Sequence, residues 1–208
     1  SLELLPGFVQ PQAAAIAPLL VEASDRLRTS TGRPDLDGYQ SASKERVDKT
    51  AEAIYDAMRA RDIRYSEPPA SWGLVGQKVR TPADVLNGRL GTCLDTTVTL
   101  AAALEEAGIN STLWLFEGHI FLGYWRVDGS LSAPADIDAS EAISHVGEGL
   151  ELIETTKLTG GDASLAFADA RRVAHARLSH ETPIGVIDIR AARSARVFPL
   201  PSRTVNED

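Results

Sequence analysis

The chain is poor in the residues that build redox frameworks and metal sites, with one cysteine, one methionine and four histidines in 208 residues. A single cysteine excludes an internal disulfide. His145, His175 and His180 show no metal-ligand spacing with Cys93 or with one another, so neither a zinc site nor any other metal is expected. Positive charge is also scarce: 21 Lys and Arg stand against 29 Asp and Glu, a net charge of −8. Such a segment is not expected to grip a phosphate backbone by itself, and any direct contact with nucleic acid would belong to another polypeptide segment. No apolar run reaches the roughly 18 residues of a membrane span, and no signal-like start is present. A cytoplasmic, reducing location follows as the expectation, and it suits a free thiol. No Gly-rich phosphate loop occurs, so no nucleotide cofactor is expected, and none of another kind.

What is there suffices for one sizeable core. At 43% hydrophobic residues, positions 1–208 read as a single domain with a helical part over 1–65, a catalytic-type core over 66–156 and a C-terminal extension over 157–208.

The stretch that organises the chain is Arg89-Leu90-Gly91-Thr92-Cys93-Leu94-Asp95. Thr92 followed by Asp95 reads as a capping box, which makes Thr92 the N-cap and Cys93 the first residue of a helix. Leu94, Val98, Ala101, Ala102 and Leu104 follow a helical period, and Gly108 fits the left-handed position that ends the helix. A thiol at a helix N-terminus meets the positive end of the dipole, which lowers its pKa. It also lies beside backbone N–H groups that have no partner within the helix and can serve a developing oxyanion. The other reading of Cys93 is a small buried core residue.

A thiolate nucleophile needs a base, and the following residues offer one. Asn110 to Phe116 reads as a strand, Glu117-Gly118 as a turn, and His119 opens a second strand through Trp125. A strand returning beside the helix brings His119 against its start, within reach of Cys93. Cys/His activation with an orienting carboxylate is the general logic of nucleophilic acyl transfer. Taken alone, His119 reads equally as a turn histidine satisfied by backbone.

Elsewhere the pattern is more ordinary. Leu2 to Phe8 is an apolar lead-in that reads as a strand or as the scar of a domain cut. Pro11 to Ser30 reads as a helix, which Pro18 kinks or whose true start it marks. A second helix spans Ser43 to Arg61, with Val47, Ala51, Ile54, Tyr55 and Met58 inward. Its charged face, including Arg46 and Asp48, reads as solvated surface. Ile63-Arg64-Tyr65 is a short strand, and Ser66 to Gln77 a long ordered loop ahead of the cysteine helix. In that loop Gln77 offers a side-chain amide to an oxyanion hole shared with the Cys93 N–H, or else bonds only to backbone. Trp72 is the wall of a substrate cleft or a plug of the core. Thr81-Pro82-Ala83-Asp84 is a second capping box and starts a helix running to about Asn87. Asp128-Gly129 reads as a hairpin turn, and Ser132 to Gly149 as a polar insertion with a short helix over Ser140 to Val146, placed to cap the site. Leu150 to Thr156 reads as a third strand, Ser164 to Leu178 as a helix and Ile184 to Ile189 as a final strand.

Gly91-Thr92-Cys93-Leu94-Asp95, the alanine-rich helix ending Glu106-Ala107-Gly108-Ile109, and Gly118-His119-Ile120-Phe121 together resemble the core of the transglutaminase-like cysteine hydrolase superfamily. The resemblance implies an α+β fold with a papain-like core, an antiparallel sheet packed on the helix that starts at Cys93. It also implies a Cys-His-carboxylate triad. The family's hydrophobic-Asp-x-Thr segment is matched best by Leu152-Ile153-Glu154-Thr155-Thr156, with Glu154 where Asp is usual; Asp136 and Asp138 are the competing candidates. A narrower resemblance, carried by Phe8-Val9-Gln10-Pro11, Gly38-Tyr39-Gln40, Pro68-Pro69-Ala70-Ser71, Gly76 to Pro82, Val186 to Arg193 and Pro199-Leu200-Pro201, points to a region of bacterial DNA-helicase-related proteins. It implies that the chain is a domain of a longer helicase-related polypeptide. Two functions are compatible with these readings. One is a peptidase- or amidase-like enzyme acting on a protein or peptide carboxamide, with water or an amine as acceptor. The other is a non-catalytic binding or regulatory module of the helicase.

Overall fold

A strand with no polar alternation needs cover on both of its faces, and every residue of Ser111–Phe116 is buried. The computed structural model, which describes residues 2–67 and 78–201, explains why. After a 3-10 helix (Leu2–Phe8), the helical and extended elements are α1 (Ile16–Thr31), α2 (Lys44–Arg59), β1 (Arg64–Tyr65), α3 (Pro82–Gly88), β2 (Leu90–Gly91), α4 (Cys93–Glu106), β3 (Ser111–Phe116), β4 (His119–Trp125), β5 (Ala135–Asp136), α5 (Ser140–His145), β6 (Leu150–Ile153), α6 (Phe167–His180), β7 (Gly185–Asp188) and α7 (Ile189–Ser194). The class is α+β. Five strands form an antiparallel sheet in the order β5-β7-β3-β4-β6, and β1 and β2 form a small parallel pair.

The sheet separates two apolar clusters. Leu113, Leu115, Ile120, Leu122, Ile153 and Ile187 join the cluster that holds α4, α1 and α2. Trp114, Phe116, Phe121, Leu150, Leu152 and Val186 join the second, with Ala142 of α5 and Ala174 of α6. Helix α4 is buried along Cys93 to Leu104, as expected of a helix that is apolar all round. Its alanines let it sit close to the sheet on one side and to α1 and α2 on the other. Gly123 of β4 is required by the second cluster's aromatics: a Cβ there would lie 2.7 Å from the Trp114 Nε1 and 2.4 Å from the Thr112 Oγ1.

Several expectations are corrected. Leu2–Phe8 is 3-10 rather than extended, with Pro6 inside it. Of the two readings of Pro18, the structure has the helix start: it is the third residue of α1, where its missing N–H has no intrahelical acceptor anyway. The charged face of α2 is not simply solvated. Arg46 is 9% exposed and donates to Thr31, Arg33, Asp35 and Asp37. Asp48 accepts from the Tyr124 hydroxyl at 2.8 Å and from Arg126 at 2.7 and 2.9 Å. Asp128-Gly129 closes no hairpin, since β4 lies between β3 and β6 and the chain runs on to β5, the opposite edge of the sheet. The final strand is no appendage: β7 lies between β5 and β3 inside the sheet and ends at Asp188, where α7 begins. Buried Asp188 accepts from the Trp125 indole, the Leu131 amide and the Ala191 amide, which ties three segments together. Among the described residues no helix is long and apolar enough to cross a membrane.

Candidate active site

The N-terminus of α4 is fixed by its own capping box. The Thr92 hydroxyl accepts from the Asp95 amide at 3.2 Å, and the Asp95 carboxylate accepts from the Thr92 amide at 3.0 Å. The same carboxylate, fully buried, also accepts from the Arg80 amide and the Arg80 guanidinium, both at 2.8 Å. Cys93 is therefore the first helical residue, and it is 0% exposed. Among the described residues the amides of Cys93 and Leu94 have no hydrogen-bond acceptor. Two donors thus remain beside the sulfur.

His119 reaches the same place through a tight hairpin. Phe116 pairs with His119 across a turn in which Gly118 takes φ +70°, the left-handed region that glycine enters without strain. The ring Nε2 lies 2.7 Å from Glu154 Oε2, and the side chain is 14% exposed. Glu154 follows directly on β6 and begins a 3-10 turn. Its other oxygen, Oε1, accepts from the Thr156 amide at 3.2 Å and the Thr156 hydroxyl at 2.9 Å. The Arg177 guanidinium of α6 stands 3.7 Å from Glu154 Oε2. The Thr155 hydroxyl meets Thr97 at 2.8 Å and Thr96 at 3.3 Å, which locks the glutamate's segment onto α4.

Electrostatics follow from these contacts. Burial disfavours the charged imidazolium, but hydrogen bonds to the Cys93 thiol and to Glu154, with the charge of Glu154, outweigh it and raise the His119 pKa to about 9. Burial alone would raise the Glu154 carboxyl; its bond to His119 and those to Thr156 hold it below the ordinary carboxylate range instead. An ionised Glu154 accepts the hydrogen bond from Nε2–H, which leaves Nδ1 as the other imidazole nitrogen.

A pH dependence of stability follows. From 6.5 up to about 9 the folded state keeps a proton on His119 that the unfolded chain has lost, so this contribution is complete below 6.5 and disappears as pH rises through 9. The Glu154 contribution has the opposite sense: it is complete above 4.5 and is lost as the pH falls. Urea unfolding across pH 6 to 9.5 is expected to show stability falling, with a His119 share of at most about 3 kcal/mol. His119→Gln is expected to flatten that slope; an equal slope in both proteins would show that His119 is not responsible.

Other sequence candidates lie elsewhere. Asp136 and Asp138 cap α5: Asp136 accepts from the Ala142 amide, and Asp138 from the Ser140 amide and hydroxyl. They are at the sheet edge opposite β6, so the structure places Glu154, and not these two, beside His119. Gln77 and Trp72 fall outside the described residues. His145 lies edge-on to Trp125 with ring centroids 5.1 Å apart, and His175 bonds Glu151 at 2.9 Å. Among the described residues no cluster of three or more His, Cys, Asp or Glu is placed to hold a metal ion.

Sequence reasoning missed three neighbours of the site. Tyr65 pairs with Gly91 across the β1–β2 ladder. Burial raises its phenol to about 12, and the charge of Cys93 adds to the shift. Arg80 reaches Asp95 from the segment ahead of α3, and Arg177 reaches Glu154 from α6. No local pattern marks any of them, since each reaches the site from a different element. Comparison with family models, with curated proteins and with solved structures found no match to the chain.

Proposed function

We propose that the chain is a cysteine acyl-transfer hydrolase with a transglutaminase-like core, working through Cys93, His119 and Glu154 on a carboxamide of a protein or peptide. The observation that carries the reading is the 2.7 Å bond between His119 and Glu154 at the start of a strand packed on the helix that Cys93 begins, with Cys93 among the causes that raise the imidazole pKa. In this mechanism the Cys93 thiolate forms a bond to the carbonyl carbon, and the π electron pair moves to oxygen. The Cys93 amide donates to that oxyanion. His119, having taken the thiol proton, gives it to the departing amine as the C–N bond breaks. Water then loses a proton to His119 and attacks the thioester, releasing the acid and the thiol. Hydrolysis is the assigned outcome because water needs no dedicated site. The broader setting proposed for this chemistry is a longer, DNA-helicase-related polypeptide. The net charge of −8 supports the part of this reading in which the segment does not itself grip nucleic acid.

A second reading, a non-catalytic binding module that keeps this architecture, draws on one observation, the complete burial of Cys93. Labelling separates the two, since the chain has one cysteine. With iodoacetamide at about pH 6, an enzyme is expected to label roughly 100-fold faster than an unactivated thiol, whose thiolate is scarce that far below a pKa of about 8.5. His119→Ala is expected to remove the excess. Slow labelling that rises only near pH 8.5 and ignores that substitution would support the module.

A further inference from the structure

We propose that Arg177 is a positioning residue of this site, the fixed counter-charge of Glu154 that frees His119 to act as a neutral base toward water, an assignment that rests on the acyl-transfer reading above. One atom carries the geometry. Glu154 Oε2 meets His119 Nε2 at 2.7 Å and Arg177 Nε at 3.7 Å, so two side chains of cationic type share a single carboxylate oxygen. Arg177 comes from α6 and is held from behind: its Nη1 donates to both oxygens of Glu181, one helical turn on, at 2.9 Å. Among the described residues these are the two ion pairs of Glu154, and Lys157, on the same 3-10 turn, makes none with it.

A buried charge needs a partner at every step, and His119 is a cation only at some of them. Glu154 is 1% exposed, and its bonds to Thr156 are to neutral donors. His119 is positive while it carries the thiol proton. Once it has passed that proton to the departing amine it is neutral, and it must stay neutral to accept a proton from water. In that interval Arg177 is the one positive charge paired with the carboxylate among the described residues, and a guanidinium keeps its charge at any working pH. The phenols of Tyr55 on α2 and Tyr65 on β1 also feel Glu154, whose charge helps to keep both protonated.

The same guanidinium governs how readily His119 becomes neutral. Cys93 and Glu154 both favour the imidazolium; acylation of the thiol removes the share of Cys93 and leaves that of Glu154. A carboxylate with no other partner would keep the ring protonated and useless as a base. A second cation on the same oxygen opposes the imidazolium by like-charge repulsion. At 3.7 Å, and 30% exposed, Arg177 acts through charge rather than through a hydrogen bond, which sets its effect at about one pH unit.

The test separates forming the acyl-enzyme from resolving it. Parent and Arg177→Met are acetylated on the single thiol with p-nitrophenyl acetate and freed of reagent, and loss of the acetyl group is followed by mass spectrometry across pH. In the parent the loss quickens with rising pH as His119 sheds its proton. In Arg177→Met, which keeps the stem and lacks the charge, the midpoint of that rise is expected about one unit higher. Loss below both midpoints is then about tenfold slower, with acetylation within about threefold of the parent. Arg177→Lys, which keeps a charge, is expected to restore the parent midpoint. An unmoved midpoint in Arg177→Met would overturn the proposal, as would equal slowing of both steps, the mark of a residue that only holds the fold. A lysine variant displaced as far as the methionine variant would overturn it too. A parent protein that labels slowly with iodoacetamide at about pH 6 would defeat the acyl-transfer reading itself, and that outcome is visible before any Arg177 variant is made.

Discussion

Glu154→Gln is expected to slow acylation of Cys93 by p-nitrophenyl acetate by about 10³- to 10⁴-fold near neutral pH, the size of effect seen when a triad carboxylate becomes an amide. The reason lies in the contacts of the carboxylate. Glu154 accepts on both oxygens, from the Thr156 amide and hydroxyl and from His119 Nε2. Glutamine has one acceptor oxygen and one NH₂. If the oxygen goes to Thr156, the NH₂ faces Nε2, which must then be unprotonated. The ring proton moves to Nδ1, the nitrogen that has to receive the thiol proton. If the oxygen goes to His119 instead, the NH₂ opposes the Thr156 amide, donor against donor in a site where the residue is 1% exposed. The first arrangement disables the base, and the second keeps its tautomer only against a buried donor–donor clash, so the first is expected to dominate. Acyl adduct on the single cysteine, followed by mass spectrometry against time, measures the effect. A rate within tenfold of the parent would remove Glu154 from the mechanism and leave it a structural cap of its 3-10 turn.

Asp95→Ala is expected to lower unfolding free energy by about 3 to 5 kcal/mol, the range for deleting one partner of a buried charge pair. The carboxylate is fully buried and accepts from the Thr92 amide, the Arg80 amide and the Arg80 guanidinium. Alanine leaves the buried Thr92 amide and the part-buried Arg80 amide without an acceptor, removes half of the capping box and strands a guanidinium. Arg80→Ala is expected to cost less, about 1 to 2 kcal/mol, since the Arg80 head is partly exposed and its amide still donates to Asp95. Urea unfolding with an unchanged m-value checks both variants. A loss below 1 kcal/mol in Asp95→Ala would mean that the helix start is held by packing rather than by these bonds. Because Cys93 is the first residue of that helix, the variant is also expected to lose part of its rapid labelling at pH 6.

Elements defined by neighbours in sequence were readable directly. The two capping boxes, at Thr81/Asp84 and Thr92/Asp95, are i to i+3 interactions, and both are present. The Glu117-Gly118 turn works in the same way: it needs only a glycine with φ near +70° between two apolar strands. Such features reflect backbone preferences that act before the chain collapses. The failures share the opposite character. The charged face of α2 looked solvated because polarity along one helix cannot reveal that β4 sends Tyr124 and Arg126 against Asp48. β7 looked like an appendage because a sheet order that is not sequential leaves no trace in periodicity. β6 ended earlier than its alternation suggested, at Ile153, because the Glu154 side chain accepts from the Thr156 amide and turns the chain.

The candidate site divides along the same line. The sequence by itself determined that Cys93 begins a helix, that His119 opens the strand beyond the next turn, and that no disulfide forms within these 208 residues, because these depend on local geometry and on composition. Tertiary structure alone decided that Glu154 rather than Asp136 or Asp138 meets the imidazole, and that Tyr65, Arg80 and Arg177 gather around the helix start. Those choices depend on strand order and helix docking, in which residues distant in the chain compete for the same few ångströms, and no local preference records the winner.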